Sequence, residues 1–96
     1  MKIETKIEKK LRKAIEYLKS IGCREIILFG SLANGTADDF SDIDLAITGL
    51  EPRTYFKAVA VISSIVGQRV DLITMDYVLK DFEDKIRKEG IRLYGT

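Results

Sequence analysis

Residues 25–48 read Glu25-Ile26-Ile27-Leu28-Phe29-Gly30-Ser31, then Leu32-Ala33-Asn34-Gly35-Thr36-Ala37-Asp38-Asp39-Phe40-Ser41, then Asp42-Ile43-Asp44-Leu45-Ala46-Ile47-Thr48. The first piece is a short unbroken apolar run ended by glycine, the pattern of a strand covered on both faces. The last piece alternates. Ile43, Leu45 and Ile47 point one way, and Asp42, Asp44, Ala46 and Thr48 point the other. The segment between them is rich in Gly, Ser, Asn, Thr and Asp and reads as a turn leading into an acidic loop. A parallel crossover needs about a dozen or more residues and usually a helix. These two strands therefore do not pair as parallel neighbours, and the sheet is expected to be mixed.

The flanks complete the pattern. Ile3, Ile7, Leu11, Ala14, Ile15 and Leu18 recur at helical spacing, with Gly22 suited to close that helix. Pro52 fits the first turn of a second helix, carried by Phe56, Ala58, Val59, Val61, Ile62, Ile65 and Val66 and expected to be largely buried. Residues 69–74 form a third strand, with Val70 and Leu72 on one face and Asp71 and Ile73 on the other. A final helix is expected from about Tyr77 to Glu89, marked by Leu79, Phe82 and Ile86. Gly90 then precedes a short edge strand, Ile91-Arg92-Leu93-Tyr94. The order α-β-(turn)-β-α-β-α predicts an α/β (α+β) fold, a small mixed β-sheet with flanking helices. At 96 residues the chain is read as one domain, 1–96.

Composition narrows the function classes. A net charge of +1 shows no basic footprint for direct nucleic-acid binding. The charge is unevenly placed. Lys2, Lys6, Lys9, Lys10, Arg12, Lys13 and Lys19 outnumber Glu4, Glu8 and Glu16 near the start, where a solvated helix face explains them. Residues 38–51 hold Asp38, Asp39, Asp42, Asp44 and Glu51 and no basic residue. The single cysteine, Cys23, makes an intrachain disulfide impossible, and a chain with no histidine offers it no imidazole base. No apolar stretch approaches a membrane span or a secretory signal, so a cytoplasmic location is expected.

The acidic residues carry the chemistry. A period-2 strand places Asp42 and Asp44 on one face with Cα atoms about 6.5–7 Å apart. Asp71, centred in a later strand, joins them if that strand pairs alongside. One such aspartate is readily explained as a turn cap or the partner of a surface Lys or Arg. Three in one place repel one another, and no cation is interleaved to neutralise them. An oxygen-only donor set of this kind suits a hard cation, Mg²⁺ or Mn²⁺. Two such ions about 3.5–4 Å apart can stabilise both the attacking and the leaving oxygen of a displacement at phosphorus. Gly30 and Ser31, after a buried strand, suit a phosphate cradle of backbone N–H groups and one hydroxyl. Residues 30–36 imitate the start of a P-loop but lack its lysine, and the carboxylates of residues 38–44 fit no EF-hand register.

Gly30-Ser31, ten residues and then Asp42-Ile43-Asp44 match the G-S-x10-D-x-D signature of the DNA polymerase β-like nucleotidyltransferase superfamily. With Val70-Asp71-Leu72 and the ending Lys88-Glu89-Gly90-Ile91-Arg92-Leu93-Tyr94, the chain resembles the minimal nucleotidyltransferases, the MntA-type antitoxins. That resemblance implies a palm-like core and AMP transfer from ATP to a hydroxyl. It implies that Asp42 and Asp44 hold two Mg²⁺ ions. Asp71 would hold the catalytic ion and help take the acceptor's proton, and Gly30 and Ser31 would bind the triphosphate. It also implies a small all-helical HEPN partner, which some members neutralise by placing AMP on a tyrosine. The chain departs from the family where many members read G-S-R-A-R-G: Leu32 and Asn34 stand in place of the arginines. Arg53, Lys57 and Arg69 are the candidates to replace that charge. Two alternatives stand beside this reading, a non-catalytic module that occludes the HEPN partner and a nucleotidyltransferase acting on a small molecule.

Overall fold

The sheet forms because residues 25–29 and 43–48 alternate their apolar side chains between two layers of helix. The computed structural model describes residues 5–30 and 43–95, with side chains from Glu8 onward. Helix α1 spans Thr5–Ser20, strand β1 Glu25–Phe29 and strand β2 Ile43–Thr48. A 3-10 turn at Pro52–Thr54 leads into α2, Tyr55–Val66, and then β3, Val70–Thr74. A second 3-10 turn, Met75–Tyr77, precedes α3, Lys80–Glu89, and β4, Ile91–Tyr94.

The strand order is β3-β2-β1-β4. β1 runs antiparallel to β2 and to β4, and β2 runs parallel to β3. The sheet is mixed, as expected. The parallel pair is joined through α2, and β1 and β2 pair antiparallel.

One face carries the main core. Ile26, Leu28, Ile43, Leu45, Ile47, Val70 and Leu72 pack there against Leu11, Ala14 and Leu18 of α1 and Ala58, Ile62 and Val66 of α2. On the opposite face Ile86 of α3 packs with Ile27, Ala46 and Met75. The second layer is narrow, because α3 lies along β1. Cys23 is buried in the main core, and burial pushes its thiol up to about 11, so it is a packing residue with no thiolate at neutral pH.

Two expectations from the sequence are corrected. Phe56 does not help bury α2: it is 81% exposed, with its ring edge-on to Tyr55. The last helix starts at Lys80, not near Tyr77, because residues 75–77 form a 3-10 turn, and Leu79 stands 82% exposed before the first helical residue. Of the three apolar markers Leu79, Phe82 and Ile86, only Ile86 is buried. An apolar residue at helical spacing packs inward only where other residues lie beneath it, and of these three it is Ile86 that sits over Ile27, Ala46 and Met75.

The end of the sheet farthest from Gly30 is tied by Glu25. Arg87 donates to both of its carboxylate oxygens, at 2.8 and 3.1 Å, and the Thr48 hydroxyl donates at 3.3 Å. Arg92 lies 3.5 Å away. The Arg87 hydrogen bonds hold Glu25 below the usual glutamate range, against the opposing effect of burial. A carboxylate whose folded pKa is lowered contributes stability that is full above its unfolded value and is lost as pH falls through the folded one. Arg87→Met is therefore expected to lower stability by about 2 kcal/mol at pH 7. The gap between variant and wild type should shrink in acid, and urea unfolding at pH 7 and pH 3 checks it. An undiminished gap at pH 3 would assign the loss to packing of the arginine stem.

Candidate active site

Register brings the acidic residues together. Asp44 is the partner of Phe29 on one side and of Asp71 on the other. Neighbouring strands lie about 4.8 Å apart, and residues level with one another in a sheet project to the same face. Asp44 and Asp71 therefore stand side by side on the face opposite the main core, at the end of the sheet where β1 finishes. Each is half-buried between fully buried neighbours: Ile43 and Leu45 flank Asp44, and Val70 and Leu72 flank Asp71. The same alternation that sends those apolar residues into the core sends the carboxylates out of it.

Gly30 closes the site from the β1 side. Its φ is +76°, a left-handed conformation that favours glycine. A Cβ built there would overlap Oδ2 of Asp44 and lie 3.1 Å from its Cγ. The backbone at the end of β1 thus approaches the Asp44 carboxylate as closely as a chain without a side chain allows.

A cation does stand beside one of these aspartates, contrary to the expectation that none is interleaved. Arg69 Nε lies 3.3 Å from Asp71 Oδ1. The cause is again period 2, since residues 69 and 71 share a face. The Arg69 side chain is 74% exposed, so the pair contributes little to stability. Of the three cations considered as replacements for the missing arginines, Arg69 is the one paired with a site carboxylate among the described residues. Arg53 pairs with Glu51 at 3.6 Å, beyond the far end of β2.

Asp42 and Ser31, with Leu32 and Asn34 of the intervening turn, lie outside the described residues. Among the described residues the acidic group is the pair Asp44 and Asp71, and no third His, Cys, Asp or Glu completes a metal cluster. The donor chemistry of that pair still fits a hard divalent cation: two carboxylates, oxygen donors only, on rigid strands. Arg69 was a candidate for the missing arginine charge on sequence grounds; what the sequence pattern did not reveal is its contact with Asp71, whose signal was the i, i+2 spacing.

The model of the polymerase beta nucleotidyltransferase family matches residues 6–96. The chain belongs to that family. It is accordingly an enzyme of the nucleotidyltransferase class. A protein of Methanocaldococcus jannaschii, named as a candidate protein adenylyltransferase, is 34% identical over 95 residues, covering 90% of this chain and 97% of its own. A solved toxin–antitoxin complex with AMP-PNP contains a chain that is 26% identical, with a TM-score of 0.77, covering 93% of this nucleotidyltransferase and 73% of that chain. The fold is also shared, at 22% identity and a TM-score of 0.74, with a chain in a complex of tri-AMPylated Shewanella oneidensis HEPN toxin and its MNT antitoxin. That match covers 93% of this chain and 72% of the other. The similarity extends over the whole described sheet and its helices, which agrees with the fold class expected from the sequence.

Proposed function

We propose that this nucleotidyltransferase moves AMP from ATP onto a hydroxyl of a helical HEPN-type partner, acting in the cytoplasm as the antitoxin of a toxin–antitoxin pair, with residues 1–96 serving as one catalytic domain. The observation that carries the reading is the register that sets Asp44 beside Asp71, on a chain whose 34%-identical relative is named for protein adenylylation. The AMP-PNP and AMPylated-HEPN complexes of its structural relatives support the donor and the partner class.

In this reading Asp42, Asp44 and Asp71 hold two Mg²⁺ ions, with Mn²⁺ able to replace them. When bound, the ions neutralise charge on the phosphates and on the attacking and leaving oxygens. The chain's own groups do the rest. Gly30 lets the backbone reach the triphosphate, and Ser31 adds a hydroxyl donor. Asp71 takes the proton from the acceptor hydroxyl. The acceptor oxygen forms a bond to the α-phosphorus as the bond to the bridging oxygen breaks, and pyrophosphate leaves with that electron pair. Arg69 lies next to Asp71 and supplies positive charge that Leu32 and Asn34 do not.

Transfer of label from α-labelled ATP to the purified HEPN partner tests this. Label is expected on the partner with Mg²⁺ and is expected to fall to background with a chelator. Transfer that survives the chelator undiminished would overturn the metal assignment. A partner that copurifies but takes no label would favour occlusion without catalysis.

A further inference from the structure

A cavity of about 350 Å³ opens beside Gly30, walled by Phe29, Phe82 and Ile86, with Lys85 and Glu89 as its charged groups. The rings of Phe29 and Phe82 meet edge to face, 6.4 Å between centroids at 87°. Phe82 nevertheless remains 41% exposed. The cavity and the carboxylate pair share Gly30, where a Cβ would meet the Asp44 carboxylate and which also lines the cavity.

We propose that this cavity receives the base of the donor nucleotide, a purine bearing an exocyclic amino group; the proposal rests on the nucleotidyl transfer put forward above. The volume is in the range of small-molecule pockets. The charge pattern excludes the phosphate chain: one lysine is balanced by one glutamate, where a polyphosphate needs several donors and no carboxylate. The aromatic wall suits a flat ring, because aromatic side chains and bases associate by stacking or edge contact.

The charged pair distinguishes a base from an aromatic acceptor. A tyrosine acceptor must present its hydroxyl to the reacting phosphorus near Asp44 and Asp71. Its ring would then leave Lys85 and Glu89 facing carbon-bound hydrogens. A purine offers ring nitrogens to accept from the Lys85 ammonium and an amino group to donate to the Glu89 carboxylate. Lys85 and Glu89 are four residues apart on α3, neighbours on one helix face, so both can reach one edge of the same ligand. Gly30, which lines the cavity and abuts the Asp44 carboxylate, links the place of that ligand to a phosphate held at the aspartates.

The test is calorimetric titration of ATP, inosine triphosphate and inorganic tripolyphosphate, each with Mg²⁺, into the wild type, Phe82→Ala and Glu89→Gln. Phe82→Ala is expected to weaken ATP binding about tenfold and leave tripolyphosphate binding unchanged. Glu89→Gln, on an exposed side chain, is expected to narrow the preference for ATP over inosine triphosphate, which lacks the amino group. Circular dichroism melts establish that both variants are folded. Unchanged ATP binding in both variants would overturn the base pocket while leaving nucleotidyl transfer standing. So would an equal loss of ATP and tripolyphosphate binding in Phe82→Ala, which would place the phosphates in the cavity. A wild type that binds neither ATP nor tripolyphosphate would overturn the nucleotidyl-transfer reading, and the base pocket with it.

Discussion

Asp71→Asn is expected to reduce AMP transfer about a thousandfold, ~4 kcal/mol of transition-state stabilisation, without lowering the unfolding midpoint. The two halves of that result have separate causes. Asparagine keeps the shape of the side chain but removes the negative charge that, in the proposed mechanism, holds a cation and accepts the acceptor's proton. In the absence of ligand the same charge contributes little to the fold. Asp71 faces Asp44 across neighbouring parallel strands, so two like charges are held close together. Its partner Arg69 is 74% exposed, which limits the ion pair to ~0–1 kcal/mol. Losing the pair and relieving the repulsion roughly offset each other. Initial rates with labelled ATP, together with urea unfolding, measure both. Transfer at the wild-type rate would remove Asp71 from the mechanism, and a large loss of stability would show it to be a structural residue.

Gly30→Ala is expected to cost about a hundredfold in transfer, since a displacement near 1 Å at a reacting centre has that effect. Its stability cost is expected at about 1–3 kcal/mol. A methyl group at residue 30 occupies the position of Asp44 Oδ2 and approaches its Cβ to 3.3 Å, so the carboxylate must rotate away from residue 30 or the strand end must move. The φ of +76° adds strain for any residue with a Cβ. Gly22→Ala provides the control. Gly22 also has a positive φ, +105°, but nothing lies within 4 Å of a Cβ there. It should lose comparable stability and keep full activity. Equal activity in the two variants would mean that Gly30 shapes only the chain and not the site.

The sequence was most legible where one periodicity served both fold and site. The alternation of Ile43, Asp44, Leu45, Ala46, Ile47 and Thr48 determined the strand, its buried face and the direction of Asp44 together, because a strand with one face in the core has a single tolerable register. Val70, Asp71 and Leu72 repeated that logic. The level pairing of Asp44 with Asp71 was less accessible, since pairing register depends on tertiary packing of α2 between β2 and β3. Arg69 was weighed as a phosphate contact, but its place against Asp71 follows from the same alternation and was not drawn from it. Phe56 and Leu79 misled because helical spacing indicates a face without indicating what covers it. The cavity beside Gly30 joins residues 29–30 with residues 82–89, a conjunction created by α3 crossing back along β1.

The most direct measurement is the intact mass of the HEPN partner after co-expression with the wild type and with the Asp44→Asn, Asp71→Asn double variant. An AMP-sized increment, or a small multiple of it, is expected with the wild type alone. An unmodified partner in both, in a complex that still copurifies and still silences the toxin, would contradict that expectation.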